Sequence, residues 1–433
     1  MKNPKYHFLG IGGIGMSALV HILLEKGEKV SGSDLKNTSH LKKLGVQITQ
    51  KLPTQAKVVY STAIKSDHPG ILSAKKRNLP LMHRSALLKS LLEGKQALLV
   101  TGTHGKTSTT ALLSWTLHVA GLKPTYAVGG ILRNFNKNGG FGLGPYFVAE
   151  ADESDGSFLN YSGDGAIITN IEKEHLDYWK SEKKILEGFQ KFISQIKDPQ
   201  LLFYCSDDSL LKELQPPGIS YGKSGTLRLV SYKQEGMKMV FTAAFKGVKY
   251  EGIELPLLGK ENVLNALAVF GMALQLEIPE KKIRKAFSTF KGVKRRLEKV
   301  GEVNRITIYD DYAHHPTEIR SILLALRKAY PNRRLMILFQ PHRYTRTKTL
   351  DFSEAFEAAD LAIITDIYSA GEKPILGVNG QSFCKKLKGD NALFLSKDKL
   401  LTLLPKMLVP GDVLVTAGAG DITEIGPQLL RQL

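Results

Sequence analysis

Twice in this chain a short apolar run ends in a glycine-rich turn and passes straight into a helical pattern. KYHFL leads through GIGGIG into MSALVHILLEKG, and QALLV leads through TGTHGKT into STTALLSWTLHVAGL. A buried strand that delivers glycines to the start of a helix is the opening unit of a parallel sheet, because parallel neighbours require a crossover connection. The alternation continues with EKVSGSD and AKVVYSTAI after the first unit, and with YFVAEADESD and GAIITNIEKEHLDYW after the second. Residues 200–258 change character: MKMVFTAAFKGVKYEGIELPL alternates and turns at Lys246-Gly247, the pattern of an antiparallel hairpin, before ENVLNALAVFGMALQ returns to helix.

A third set of strands and helices begins near FKGVKRRLE. RITIYDD precedes AHHPTEIRSILLALRKAYP, where Pro316 suits a first helical turn and Pro331 lies just past the end. Ile319, Ile322, Leu323 and Leu326 make one apolar face of that helix, and RLMILFQ, LAIITDI and DVLVTAGAG supply further strands. The fold class is α/β in three domains. Residues 1–94 form a Rossmann-like domain, 95–291 a central domain like that of a P-loop ATPase with a mixed, largely parallel sheet, and 292–433 a third α/β domain. A chain of 433 residues is long enough for two to four such bodies.

Each set carries chemistry at its strand ends. Gly10-Ile-Gly-Gly-Ile-Gly15 has the G-x-G-x-x-G spacing after a strand and before a helix, with Asp34 ending the next strand. Glycines there let backbone approach a diphosphate at a helix N-terminus, and the acid would hold a ribose hydroxyl. A dinucleotide and a UDP-sugar fit equally, since both carry a diphosphate beside ribose. In the second set, TGTHGKTS departs from G-x-x-x-x-G-K-[ST]: Val100 stands where the first glycine belongs. The minimum for phosphate capture survives. Gly102 and Gly105 permit a curled loop through Thr103 and His104, Lys106 supplies a cation for the outer phosphates, and Thr107, followed by Ser108, offers a hydroxyl to Mg²⁺. Glu150, Asp152, Glu153 and Asp155 follow one strand and Glu174, His175 and Asp177 the next, where carboxylates and an imidazole could hold one or two Mg²⁺. An acidic run alone is more often a solvated loop; its place beside a phosphate loop changes that reading. In the third set Asp310, Asp311, His314 and His315 follow one strand, and His342, Arg343 and Arg346 the next. Forked guanidinium donors at such positions suit carboxylates or phosphates.

Composition narrows the partners. The formal charge is +19, from 60 Lys and Arg against 41 Asp and Glu, which favours anionic ligands. The cations are spread along the chain, with no basic arm and no RNA-binding motif with interleaved aromatics, so a solvated basic surface is preferred to nucleic-acid binding. Cys205 and Cys384 stand far apart and outside any CxxC, against structural zinc or a disulfide framework and in keeping with a reducing cytoplasm. No apolar run reaches the roughly 18–20 residues of a membrane span. MKNPKYHFLGIGGIGMSALVHILL imitates a signal peptide, but its glycines, His21 and the continuation KVSGSD argue against one.

Taken together, GIGGIGMS, SGSD, TGTHGKTSTT, EADESDGSF, TNIEKEHLDY, ENVLNALA, DDYAHHPTEI, QPHRYTRT and GAGDI, in that order, resemble the Mur ligases almost end to end. The match is weakest at about 200–258, and in this family the shortened loop with Val100 is the ordinary form. The resemblance implies a UDP-binding first domain, a central ATPase and a last, Rossmann-like domain that resembles a dinucleotide fold but helps bind ATP and the amino acid. It implies ATP-dependent joining of L-alanine to the lactyl carboxylate of UDP-N-acetylmuramate, with ATP and Mg²⁺, by a monomer or weak dimer. By the same resemblance Thr107, Glu150 and His175 are the metal ligands, and Asn262 and Asn265 contact adenine. Asp311 holds the ATP ribose. Gly12, Gly13, Ile14 and Gly15, with Asp34 and Arg84 nearby, cradle the UDP diphosphate. Arg296, His315, His342, Arg343 and Arg346 surround the reacting carboxylates. Several relatives carry a carbamylated lysine downstream of the HLD-type motif; the counterpart here falls near Gln190, so that modification is not expected and Lys191 reads as a surface lysine. The nearest alternative adds a tripeptide to the same UDP-sugar. An NAD-dependent dehydrogenase, suggested by GIGGIG alone, leaves GTHGKT and both acidic clusters unexplained.

Overall fold

Three sheets carry the chain in the computed structural model, which describes residues 4–35, 38–387 and 391–433 apart from the side chains of His40 and Asp177. The first contains β1 (Tyr6–Leu9), β2 (Val30–Ser33), β3 (Gln47–Ile48), β4 (Lys57–Tyr60) and β5 (Leu81–His83), in the order β3-β2-β1-β4-β5. All its pairings are parallel. The order reverses between β1 and β4, so the glycine loop leaving β1 opens at the switch point where α/β sheets bind ligands. β1 is buried along its length, His7 included. Burial pushes the His7 imidazole down to about 4, and Ser31 Oγ meets its Nδ1 at 2.9 Å.

The second sheet has ten strands: β6 (Gln96–Thr101), β7 (Thr125–Leu132), β8 (Lys137–Gly140), β9 (Tyr146–Glu150), β10 (Gly165–Ile168), β11 (Leu202–Cys205), β12 (Ile219–Gly222), β13 (Leu227–Glu235), β14 (Lys238–Phe245) and β15 (Val248–Leu255). Their order is β15-β14-β13-β12-β11-β10-β6-β9-β7-β8. The run from β13 to β7 is parallel throughout. Leu98, Leu99, Val100, Phe147, Val148, Ala149, Ala166, Ile167 and Ile168 are shut off from solvent there, as continuous apolar runs in a sheet covered on both faces require. β8 closes one edge antiparallel to β7. At the other edge Lys246 (φ 50°) and Gly247 (φ 78°) make a two-residue turn in the left-handed region, the geometry that matches hairpin twist.

The third sheet contains β16 (Glu298–Val303), β17 (Ile306–Asp311), β18 (Leu335–Phe339), β19 (Leu361–Ile364), β20 (Ala392–Phe394) and β21 (Val413–Ala417), ordered β16-β17-β21-β18-β19-β20. Only β16 runs antiparallel to its neighbour. Alternate residues of β18 feed two cores. Leu335, Ile337 and Phe339 pack with Ile319, Leu323 and Leu326 of the helix Pro316–Ala329, whereas Met336 and Leu338 pack with Leu400, Leu404 and Leu429. By compactness residues 1–231, 241–254 and 264–291 form one unit, and 232–240, 255–263 and 292–433 the other. The first sheet and β6–β12 of the second therefore lie in one unit, while β13, β14 and β15 are divided between the two. Among the described residues no helix is long and apolar enough to cross a membrane.

Candidate active site

β6 delivers the loop of residues 102–105 to the helix Lys106–Val119. Gly102 sits at φ 128°, and a Cβ there would lie 2.2 Å from Thr169 Oγ1 and 2.9 Å from the Asn170 carbonyl. The close approach exists because the end of β10 grips the loop. Thr103 N donates to Asn170 O at 3.0 Å and His104 N to Asn170 Oδ1 at 2.8 Å; Thr169 Oγ1 and Asn170 Nδ2 donate back to His104 O at 2.6 and 3.1 Å. His104 Nε2 lies 3.4 Å from Glu172 Oε2. The sequence reading passed over this anchoring role of Thr169-Asn170, for which a short polar pair directly after a buried strand was the available signal. Asn265, buried, lies over the turn, its amide 2.8 Å from where a Cβ on Gly105 would stand. Asn262 lies in the other unit and donates from Nδ2 to Leu258 O at 2.7 Å.

Lys106, the first helical residue, donates from Nζ to Gly102 O at 2.6 Å, Thr103 O at 3.0 Å and Glu153 Oε1 at 3.0 Å. Burial opposes its charge, but the carboxylates of Glu153, Asp152 and Glu150 outweigh burial and hold the ammonium well above the usual lysine range. Burial pushes the Glu153 carboxyl up to about 7 against the pull of Lys106. Glu153 thus belongs to the lysine, a pairing the motif reading did not assign. Thr107 Oγ1 donates to Glu150 Oε1 at 3.2 Å, and Gly129 N to Glu150 Oε2 at 2.9 Å. Ser108 continues the first turn, half-buried. His175, at φ 56°, presents Nε2 3.5 Å from Glu174 Oε2 and 3.9 Å from Glu153 Oε1. A hydroxyl, carboxylates and an imidazole flank the loop, an oxygen-rich set that suits Mg²⁺. The Asp177 side chain lies outside the described residues, and Lys191 is exposed.

The loop after β1 is closed by Asp34, whose Oδ2 accepts from Gly12 N at 2.7 Å. Gly13 precedes the helix Ile14–Glu25, and Met16 N and Ser17 N donate back to its carbonyl at 3.0 and 2.9 Å. Arg84 begins the helix Arg84–Leu92; its Nη1 lies 3.3 Å from where a Cβ on Gly15 would stand. Its Nη2 donates to Asp152 Oδ2 at 3.3 Å and stands 3.7 Å from Asp155 Oδ2. One guanidinium thus lies beside the first glycine loop and on the acidic loop after β9.

The second unit gathers its own groups at the ends of β17, β18 and β21. Asp311 is buried and accepts from Leu297 N at 2.6 Å and Ala313 N at 2.7 Å; burial raises its carboxyl to about 6 against the pull of Arg296. His315 caps the helix Pro316–Ala329, its Nδ1 accepting from Thr317 N at 3.4 Å while Glu318 Oε2 accepts from His315 N at 3.3 Å. That cap engages Nδ1 of a ring that is buried. His342 Nδ1 lies 2.9 Å from Arg346 Nη1, and its ring stacks on Tyr368 at 5.8 Å. Burial, then the cations and His314 around it, drive His342 down to about 3, so it is neutral and accepts from Arg346. Arg343 stands at φ 67° and donates its amide to Tyr368 O at 2.8 Å. Arg296 lies 5.1 Å from the Tyr312 ring centre. Arg295, which the sequence reading missed beside Arg296, lies 4.9 Å from the same ring and donates to Gly418 O at 2.6 Å and Gly420 O at 3.0 Å.

Comparison with known proteins covers nearly the whole chain. Three family models match in succession: the catalytic domain of the Mur ligase family over residues 5–96, the Mur ligase middle domain over 100–273, and the glutamate ligase domain of Mur ligases over 295–420. The UDP-N-acetylmuramate–L-alanine ligase of Protochlamydia amoebophila is 43% identical across 99% of this chain and 98% of its own. Among solved structures, the UDP-N-acetylmuramate–alanine ligase of Thermotoga maritima superposes with a TM-score of 0.86 at 30% identity, covering 100% of this chain and 99% of that one. A murein peptide ligase from Psychrobacter arcticus shares the fold, with a TM-score of 0.71 at 24% identity over 98% of each chain.

Proposed function

This chain belongs to the Mur ligase family, and from that premise we infer that it is an ATP-dependent ligase joining L-alanine to UDP-N-acetylmuramate in peptidoglycan precursor synthesis. The observation that carries the reading is 43% identity, over 99% of this chain, to a ligase of that name. Boundaries near residues 94 and 291 divide it into sugar-nucleotide, ATP and amino-acid domains. It acts in the cytoplasm as a monomer or weak dimer.

The chemistry follows from what a carboxylate lacks. Attack on it forfeits resonance and expels oxide, so the γ-phosphoryl group of ATP is first transferred to the lactyl carboxylate. The acyl phosphate then accepts the L-alanine amine, and the tetrahedral adduct collapses to amide and phosphate. Phosphoryl transfer asks a protein mainly for position and countercharge. The amides of the loop at 102–105 and the Lys106 ammonium supply the countercharge, and Glu153 keeps that ammonium protonated and aimed when no phosphate is bound. Asn262 and Asn265 are read as contacts to adenine and Asp311 as the contact to the ATP ribose; the packing of Asn265 against Gly105 of the phosphate loop supports a role at ATP. Gly12, Gly13, Ile14 and Gly15 hold the UDP diphosphate, with Asp34 closing the loop and Arg84 beside it. Thr107, Glu150 and His175 would hold Mg²⁺, which supplies charge neutralisation at the transferred phosphoryl group. Arg296, His315, His342, Arg343 and Arg346 orient the carboxylates of the two acceptors, with Arg346 aimed by neutral His342.

Phosphate release measured with ATP, Mg²⁺, UDP-N-acetylmuramate and either L-alanine, another amino acid or the L-alanyl tripeptide tests the assignment. Release dependent on L-alanine and the sugar nucleotide is expected. Release with the tripeptide alone overturns it.

A further inference from the structure

Within the first unit, the strand β8 touches two things the reaction requires. Along one side it lies against the helix Ile14–Glu25 that begins at the first glycine loop. Asn138, 2% exposed, donates from Nδ2 to Ile14 O at 2.6 Å and to Ser17 Oγ at 3.0 Å. Gly139 makes the approach possible: a Cβ there would lie 2.2 Å from Ala18 O. At the far end of the helix Glu25 takes Lys137 and accepts from Phe141 N at 2.7 Å. Along its other side β8 pairs with β7, and β7 supplies the Gly129 amide that holds Glu150, which in turn accepts from Thr107. A backbone path thus runs from the first turn of the diphosphate helix to the carboxylate beside the phosphate loop.

We propose that Asn138 is a positioning residue for the ligation, fixing the start of the sugar-nucleotide helix against β8 so that the lactyl carboxylate and the γ-phosphate meet in register. The proposal rests on the reading that residues 10–15 hold the UDP-sugar and 102–108 the ATP. A buried amide donating to two oxygens on one helix turn can be satisfied in only one placement of that turn, because a displaced helix would strand the Ile14 carbonyl contact in a dry seam. Phosphoryl transfer tolerates little misplacement, and an error near 1 Å can cost about 10²-fold. Asn138 bonds only helix atoms, the Ile14 carbonyl and Ser17 Oγ, so its loss is expected to act on alignment more than on the binding of either ligand alone.

Asn138→Asp keeps shape and removes the donor, turning a carboxylate toward the Ile14 carbonyl. In the full-length enzyme the expected result is a split. The Kd for UDP-N-acetylmuramate alone and for a non-hydrolysable ATP analogue alone stay within about twofold, while kcat with all substrates saturating falls roughly tenfold or more. Glu25→Ala, at the half-exposed far end of the same seam, is the second variant and shows a smaller kcat loss of the same kind should Asn138→Asp fail to fold. Unchanged kcat in Asn138→Asp, or in Glu25→Ala where only that variant folds, overturns the proposal. So does a loss confined to UDP-sugar affinity with full turnover at saturation, which would move Asn138 into the binding site. Gly12→Val separates the underlying reading: if it leaves UDP-sugar affinity intact, the loop assignment fails, whatever Asn138 does.

Discussion

Lys106 is the residue on which most of the proposed chemistry converges, and its surroundings say what its loss would cost. The ammonium answers a buried carboxylate and two loop carbonyls and, in the proposed reaction, would also answer the transferred phosphoryl group. Lys106→Ala therefore removes countercharge and leaves Glu153 buried without its cation. Turnover should fall by at least roughly 10²–10³-fold, the scale of losing a preorganised electrostatic donor. UDP-N-acetylmuramate affinity, measured by titration calorimetry, should stay near wild type; if it collapsed, the division between the first glycine loop and the phosphate loop would be wrong. His342 gives a pH prediction. Its imidazole ordinarily titrates at 6.5 and is held at about 3 in the fold, so below 6.5 the unfolded chain binds a proton that the native protein refuses. Stability from this group is complete above that value and drains away as pH falls toward 3. Asp311 acts oppositely: raised from 3.8 to about 6, it favours the fold as pH falls through that range. His342→Asn should narrow the Tm difference between about pH 7.5 and about pH 4.5 relative to wild type, the comparison cancelling Asp311. An unchanged difference would mean that His342 is not held neutral.

At the scale of elements, the helix Pro316–Ala329 shows a candidate functional side chain used as a structural one. His315 caps it, Glu318 completes the reciprocal box, and the same bonds fix the setting of the imidazole ring through Nδ1. Glu318→Ala should cost about 1 kcal/mol in denaturant unfolding, as lost caps do. It should also lower kcat, because the His315 ring loses its fixed setting; stability loss with full turnover would separate cap from chemistry. This helix was legible in the sequence: Pro316, the face of Ile319, Leu323 and Leu326, and Pro331 fall where expected. The long buried strands were legible for a similar reason, since runs such as LLV and FVA carry only one reading beside glycine loops. Short edge strands were not. Gln47–Ile48, Leu81–His83 and Lys137–Gly140 are two to four residues long with mixed polarity, and pairing to a neighbour makes them strands. The site divides along the same line. Lys106, Thr107 and Glu150 announce themselves by residue type and place, whereas Glu153's pairing with Lys106, Asn170's grip on the loop and Arg295's bonds to Gly418 and Gly420 depend on distant backbone brought close by the fold.

For the whole molecule, the arrangement of cores predicts which pieces of the chain stand alone. The third sheet has an apolar layer on each face, and both layers are built from residues within 292–433. Hydrophobic burial is the main favourable term in folding, so a segment that covers both faces of its own sheet has what a domain needs. Residues 292–433 expressed alone should melt cooperatively by circular dichroism. Its stability should fall short of the same body in the full chain, because Met237 against Tyr309, Gln234 on the Ala325 carbonyl and Glu261 on Ser321 would be missing. Residues 1–94 differ. Their helix Ile14–Glu25 is finished by β8, through Asn138, Gly139 and Lys137, and Arg84 finds its acids on the loop after β9. Cut at residue 94, that helix exposes a face shaped to another strand, and Arg84 loses both partners. The 1–94 fragment should therefore unfold at lower denaturant than a 1–291 fragment and exchange the amides of Ile14–Glu25 faster. Equal midpoints and equal exchange would mean that the first sheet needs nothing from the second, and that the seam at Asn138 contributes alignment without stability.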